Sequence, residues 1–209
     1  MNLITDWAHK FETYLTKNHD DDGSHDVSHF KRVWKTAQKL MTEETDELVI
    51  LASCYFHDIV CYPKNHPKRS CSSREAALKA EKILLAMNFP TDKIENIKHC
   101  IEAHSFSANI PPQTMEAKIV QDADRMEALG AIGLARVFYV AGQLGQKLFD
   151  DIDPFAHKRN FDDKKYALDH FNIKLLKLPE TMQTEKGKDE ANKRKDLLLR
   201  FMDDLQLEL

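Results

Sequence analysis

The sequence predicts an all-α fold, and three observations carry that expectation. Apolar residues recur at three-to-four spacing along most of the chain, no segment shows convincing period-two alternation, and punctuation is sparse, with six Gly and seven Pro in 209 residues. A chain of this length buries roughly 70% of its unfolded surface. We expect one helical domain over residues 1–209, with a core at about residues 20–135 and C-terminal helices at 160–206 packed on it.

The elements follow in order. Leu3, Ile4, Trp7, Phe11, Tyr14 and Leu15 mark an amphipathic helix over about residues 3–18. The polar tract Asn18–Ser24 reads as a loop. His25-Asp26-Val27-Ser28-His29 then opens a second helix with Val33, Trp34, Ala37, Leu40 and Met41 on one face. His29 shares that stripe with Val33 and should face the core; His25 lies four residues earlier and points the same way if the helix starts early enough.

A third, strongly apolar helix runs from about Asp46 into His57-Asp58. Pro63 and Pro67 forbid a regular helix beyond it, so a loop leaves the His-Asp pair. Ser72 and Glu75 fit a capping box opening a fourth helix through Met87. Ile94, Ile97, Ile101 and His104 form the stripe of a fifth, followed by a loop over Ser105–Thr114. Ala117, Ile119, Val120 and Ala123 climb into Asp124, and the small apolar run Met126–Ala135 suggests a helix packed closely on its neighbours. Residues 142–160 read as loop, Tyr166–Leu176 as a helix, and a last helix follows Pro179.

Composition narrows the function classes. A net charge of −4 argues against a dedicated nucleic-acid binder, and no apolar run approaches ~18 residues, so no membrane span is expected. The first residues lack a basic stretch leading into an apolar one, so no signal peptide is indicated. Cys54, Cys61, Cys71 and Cys100 show neither CxxC pairing nor zinc-ribbon spacing and read as reduced thiols of a cytoplasmic protein. There is no GxSxG elbow, no GxxxxGK[ST] or GxGxxG phosphate loop, and no cysteine in a recognisable activated setting.

The chemistry centres on His57-Asp58, an imidazole and a carboxylate delivered by an apolar segment. Burying both without partners is costly, and a metal ion is one partner that satisfies them. If His29, His57, Asp58 and Asp124 came together, two imidazoles and two carboxylates would form a mixed nitrogen–oxygen set. Such a set suits manganese, iron, cobalt or nickel better than calcium, and it lacks the thiolates of a structural zinc site.

The series His29, then His57-Asp58, then Asp124 resembles the His…His-Asp…Asp signature of the HD-domain superfamily of metal-dependent phosphohydrolases. The stretches Ser24–Val33, Tyr62–Arg69, Ile101–Ser107 and Asp122–Gly133 are similar to motifs of its small stand-alone bacterial members. Two departures concern flanking positions: Met126-Glu127 replaces a commoner Leu-Asp, and Lys68 stands where an acidic residue is frequent.

The resemblance implies an HD-domain helical bundle with the metal site between helices. It implies His29, His57, Asp58 and Asp124 as ligands of one divalent ion (manganese, iron, cobalt, nickel or magnesium), with Asp124 matching the motif better than Asp122. Asp58 is also the candidate proton acceptor. Lys64, His66, Arg69 and His104 are candidate catalytic contacts to phosphate oxygens or the leaving group, and Arg125 offers further positive charge. His66 and His104 each have a plain structural reading as well, and His25 equally suits a helix terminus or a ligand carboxylate.

The expected partner is a small phosphorylated molecule, above all a nucleotide, with a nucleoside triphosphate split into monophosphate and pyrophosphate favoured over monophosphate dephosphorylation. A dinuclear-iron oxygenase and a non-catalytic nucleotide-binding module are the competing classes.

Overall fold

The computed structural model describes residues 2–18, 27–62 and 66–209. His25, Lys64 and the start of the expected second helix lie outside the described residues. Among the described residues there is no β-strand, only an isolated bridge between Lys147 and Tyr166, and no helix is long and apolar enough to cross a membrane. Nine α-helices are described: α1 (Leu3–Asn18), α2 (Val27–Leu40), α3 (Glu47–Phe56), α4 (Ser72–Ala86), α5 (Ile94–His104), α6 (Met115–Arg125), α7 (Gly130–Gln143), α8 (Asp169–Ile173) and α9 (Glu185–Glu208). Their contacts gather into two compact units, Met1–Asp124 and Arg125–Leu209.

In the first unit α3 is the buried axis. Every residue from Leu48 to Phe56 is buried, as expected of a helix that is apolar all round, and α1, α2 and α5 pack against it. Asp46 caps its N-terminus by accepting from the Leu48 and Val49 N–H groups at 3.0 and 3.2 Å, satisfying two orphan donors. The core is aromatic. Phe11 is fully buried with its ring centroid 5.0 Å from Phe56, 5.6 Å from Trp7 and 6.0 Å from both Tyr55 and Phe89.

Two local expectations need correction. The third helix stops at Phe56, so His57 and Asp58 occupy the turn just beyond its end. Ser72 and Glu75 do not form a capping box: α4 is preceded by Cys71 with no side-chain cap. Instead Ser72 Oγ accepts from the Tyr62 N–H at 3.1 Å and Glu75 Oε2 accepts from the Tyr62 hydroxyl at 2.6 Å. Tertiary partners on the preceding loop outcompete the local pairing.

In the second unit α7 and α9 pack together, and the rings of Phe138, Phe171 and Phe201 meet with centroids 5.7–6.2 Å apart. The expected helix from Met126 is broken. A 3-10 turn over Met126–Ala128 ends at Leu129 in extended backbone, and α7 starts at Gly130 with φ +68°. The helix expected over Tyr166–Leu176 shrinks to α8, followed by a 3-10 segment, Leu175–Thr181, that contains Pro179.

The long loop between α7 and α8 is held by its own polar groups. Arg159 grips the buried Asp169 carboxylate through two N–H···O contacts of 2.5 and 2.8 Å. Asp150 accepts from the Tyr166 hydroxyl at 2.5 Å and from the Ile152 and Asp153 N–H groups at 3.0 and 2.8 Å.

The Tyr166 hydrogen bond, with those backbone donors, holds the Asp150 carboxyl down at about 2. A folded pKa below the unfolded value of about 3.9 gives a stabilising contribution that is complete above the unfolded pKa and is lost as pH falls through about 2. Tyr166→Phe should therefore move the Asp150 midpoint upward in a carboxyl carbon-13 NMR titration. An unchanged midpoint would assign the hold to the backbone donors alone.

Candidate metal centre

The first unit gathers five side chains from four elements. α2 supplies His29, the turn after α3 supplies His57 and Asp58, the last residue of α5 is His104, and α6 supplies Asp124 near its end. His29 and His57 bring their Nε2 atoms to 3.1 Å. Asp124 Oδ1 lies 3.7 Å from His29 Nε2 and 3.5 Å from His57 Nε2. Asp58 Oδ2 is 3.8 Å from His57 Nε2, and its Oδ1 is 3.4 Å from His104 Nε2.

Two sets result, His29–His57–Asp124 and His57–Asp58–His104, each with its ligand atoms within 4.8 Å of one another. Burial grades the site. The side chains of His29 and His57 are 1% and 0% exposed, whereas those of Asp58 and Asp124 are 14% and 24% exposed. The imidazoles are fully buried, and the carboxylates keep partial contact with solvent.

The helix ends set the tautomers. His57 Nδ1 lies 2.9 Å from the Cys54 carbonyl, and His104 Nδ1 lies 2.6 Å from the Ile101 carbonyl. A carbonyl can only accept, so each Nδ1 carries a hydrogen, and in the neutral ring each Nε2 presents a lone pair. Both histidines sit at a helix C-terminus and satisfy a carbonyl three residues back, one of the orphans such an end leaves. A hydrogen bond from the far ring nitrogen is also the usual support of a metal-ligating histidine.

The donor set fits a cation. With both Nδ1 atoms tied to carbonyls, the Nε2 atoms of His57 and His104 face two carboxylates, an arrangement that calls for a proton or a cation between them. Burial disfavours the His57 imidazolium, but the adjacent Asp58 and the hydrogen bond and charge of Asp124 outweigh it and push its pKa up to about 9. For Asp124 burial works against ionisation, yet the His57 hydrogen bond and the nearby His57 and His104 charges hold its carboxyl well below the usual range. A field that attracts a proton this strongly attracts a divalent ion for the same reason.

Not every candidate joins the cluster. Asp122 is fully buried and belongs to neither converging set, which favours Asp124 as the acidic member from α6. Arg69 directs NH1 to Cys61 Sγ at 3.0 Å and to the Tyr62 carbonyl, closing the loop after Asp58. His66 stacks on Tyr62, centroids 4.6 Å apart at 9°, and its Nδ1 accepts from the Lys68 N–H at 3.1 Å. In the neutral ring that acceptor role leaves the hydrogen on Nε2, ready to donate. Arg125 donates to the Thr181 carbonyl at 2.8 Å, within the second unit. The Tyr62–His66 stack and the two tautomer locks escaped the sequence reading; the only traces were the spacings Cys54–His57 and Ile101–His104.

A family model for the HD domain matches residues 26–129, a span that contains all five converging residues. The chain belongs to the HD-domain superfamily. Relatives agree along nearly the whole length. The uncharacterised Bacillus subtilis protein YpgQ is 28% identical over 195 residues, covering 91% of this chain and 87% of that protein. The crystal structure of YpgQ in complex with ADP superposes with a TM-score of 0.73 at 25% identity, covering 99% of this chain and 96% of that one. An HD-superfamily hydrolase from Bacillus thuringiensis gives a TM-score of 0.73 at 28% identity, covering 98% and 97%. A Listeria innocua protein gives 0.72 at 28%, covering 99% and 96%.

Proposed function

We propose that this HD-domain protein is a metal-dependent phosphohydrolase acting on nucleotides, with the splitting of a nucleoside triphosphate into monophosphate and pyrophosphate as the favoured reaction. The observation that carries this reading is the convergence of buried imidazoles on two partly exposed carboxylates, a donor set matched to a hard or borderline divalent ion. YpgQ, similar over nearly its full length, was crystallised with ADP, which supports a nucleotide over other phosphoesters. His29, His57, Asp58 and Asp124 would hold manganese, iron, cobalt, nickel or magnesium, and a bound ion supplies Lewis acidity to a phosphoryl oxygen and lowers the pKa of a water.

The remaining work falls to the chain's own groups. Asp58 is placed to accept the proton of the attacking water, and His104 Nε2, 3.4 Å from Asp58 Oδ1, is placed to take it onward. As the water oxygen bonds to phosphorus, the bond to the leaving oxygen breaks, and His66 Nε2–H is the donor for the departing group. Lys64 and Arg69 remain the proposed cationic contacts for the equatorial phosphoryl oxygens, where charge gathers. Cys54, Cys61, Cys71 and Cys100 form no disulfide among the described residues, which fits a reducing cytoplasm.

One ion is favoured over two. Both converging sets share His57, whose Nδ1 is committed to the Cys54 carbonyl, leaving one ring nitrogen for one metal. That weighs against a dinuclear-iron oxygenase.

The test is a hydrolysis panel of nucleoside tri-, di- and monophosphates with protein loaded with manganese, cobalt or nickel. Release of pyrophosphate from a triphosphate is the expected result. Inactivity across a broad phosphoester panel would end the enzyme reading, and tight nucleotide binding without turnover would replace it with a binding module. Two irons per chain with oxygen consumption would establish the oxygenase.

A further inference from the structure

We infer that Gln121 is a positioning residue for this centre: its buried amide ties the end of α5, which carries His104, to α6, which carries Asp124. The inference rests on the reading of the cluster as a metal site and adds a residue that reading does not contain. Gln121 is 3% exposed, and its Nε2 donates to the Ala103 carbonyl at 2.6 Å. Ala103 immediately precedes His104, the last residue of α5, and its carbonyl is one that the helix end leaves without an intrahelical partner. The adjoining orphan, the Ile101 carbonyl, takes the His104 Nδ1–H. Two hydrogen bonds therefore terminate α5: one sets the His104 tautomer, and the other fixes the backbone beside it.

On α6, Gln121 stands three residues before Asp124, so both lie on one side of the helix. The same short stretch thus anchors the end of α5 and presents the carboxylate to His29 and His57. A purely structural role explains the amide poorly. Its Oε1 is buried without a hydrogen-bond partner among the described residues, a desolvation cost that an apolar residue of the same shape would avoid. The glutamine is accounted for by what its donor does at Ala103. Groups that orient the ligands of a metal, without touching it, typically change affinity by about 10–100-fold when removed.

Gln121→Met keeps the length and apolar stem and removes the donor; Gln121→Leu is the second variant in case the first does not fold. By calorimetry with manganese(II) alone, the Met variant is expected to bind at least about tenfold more weakly than wild type. Its melting temperature should stay within a few degrees or rise, since the unpartnered oxygen is gone. In the metal-free protein, nitrogen-15 spectra of the imidazoles should show His104 protonated on Nδ1 in wild type and averaged between tautomers in the variant. Metal affinity within twofold of wild type, or unchanged His104 nitrogens, would overturn the inference. If wild type binds no metal, the metal-centre reading fails, and the His104 tautomer still decides the role of Gln121.

Discussion

Asp58→Ala is expected to abolish metal binding and the proposed phosphohydrolase activity together. The carboxylate faces two ring nitrogens, Oδ2 toward His57, the residue common to the two converging sets, and Oδ1 toward His104. Its removal takes away a proposed ligand and the proposed proton acceptor at once. Loss of general-base function alone typically costs 10²–10⁴ in rate, so we expect kcat/KM to fall by at least ~1000-fold. Manganese affinity should fall by more than the ~10–100-fold typical of supporting residues, because Asp58 is proposed as a ligand itself. Far-ultraviolet circular dichroism should be unchanged, since the helices are terminated and packed without Asp58. Activity and stoichiometric metal retained in Asp58→Ala would move the site elsewhere in the molecule.

Gly133→Ala is expected to be the most damaging small substitution in the second unit. A Cβ built on Gly133 would lie 2.2 Å from the Ala128 carbonyl carbon and 2.3 Å from its oxygen. The obstruction is backbone, so no side-chain rotation relieves it. The close approach comes from the break at Leu129, where the chain leaves the 3-10 turn in extended backbone and re-enters a helix at Gly130 with φ +68°. The first turn of α7 folds back over Ala128, and the Gly133 N–H reaches the Leu129 carbonyl at 3.3 Å. Overpacking with nowhere to relax costs about 3 kcal/mol, the upper end of its usual range. For a chain of this size that is roughly a 6–12 °C fall in melting temperature by calorimetry. A fall under about 2 °C would show that the turn opens freely.

Much of the site was legible because burial follows helical periodicity. His29 shares a stripe with Val33, and His104 with Ile97 and Ile101, so an imidazole in register with aliphatic neighbours had to enter the core. Both are buried, at 1% and 5% exposure. The apolar run Leu48–Phe56 carried His57 inward for the same reason. The failures share a different cause. Ser72 and Glu75 have the spacing of a capping box, but a hydroxyl and a carboxylate bond to whichever donor the fold presents, and here that donor is Tyr62. Likewise Met126–Ala135 has largely helical composition, yet the chain breaks at Leu129, and Gly130, free to take a positive φ, was the sole local trace of it.

Periodicity, residue type and motif order therefore determined the all-helical fold, the inward faces of the helices, and the identity of the histidines and aspartates at the centre. These are properties of short segments, and short segments are what a sequence states directly. Only the tertiary structure decided that His104 sits against Asp58, and that the Gln121 amide reaches the Ala103 carbonyl at the end of α5. Those facts depend on how helix ends distant in sequence are brought side by side. Hydrogen bonds to leftover carbonyls at those ends, at Cys54, Ile101 and Ala103, set the final ångström of the site.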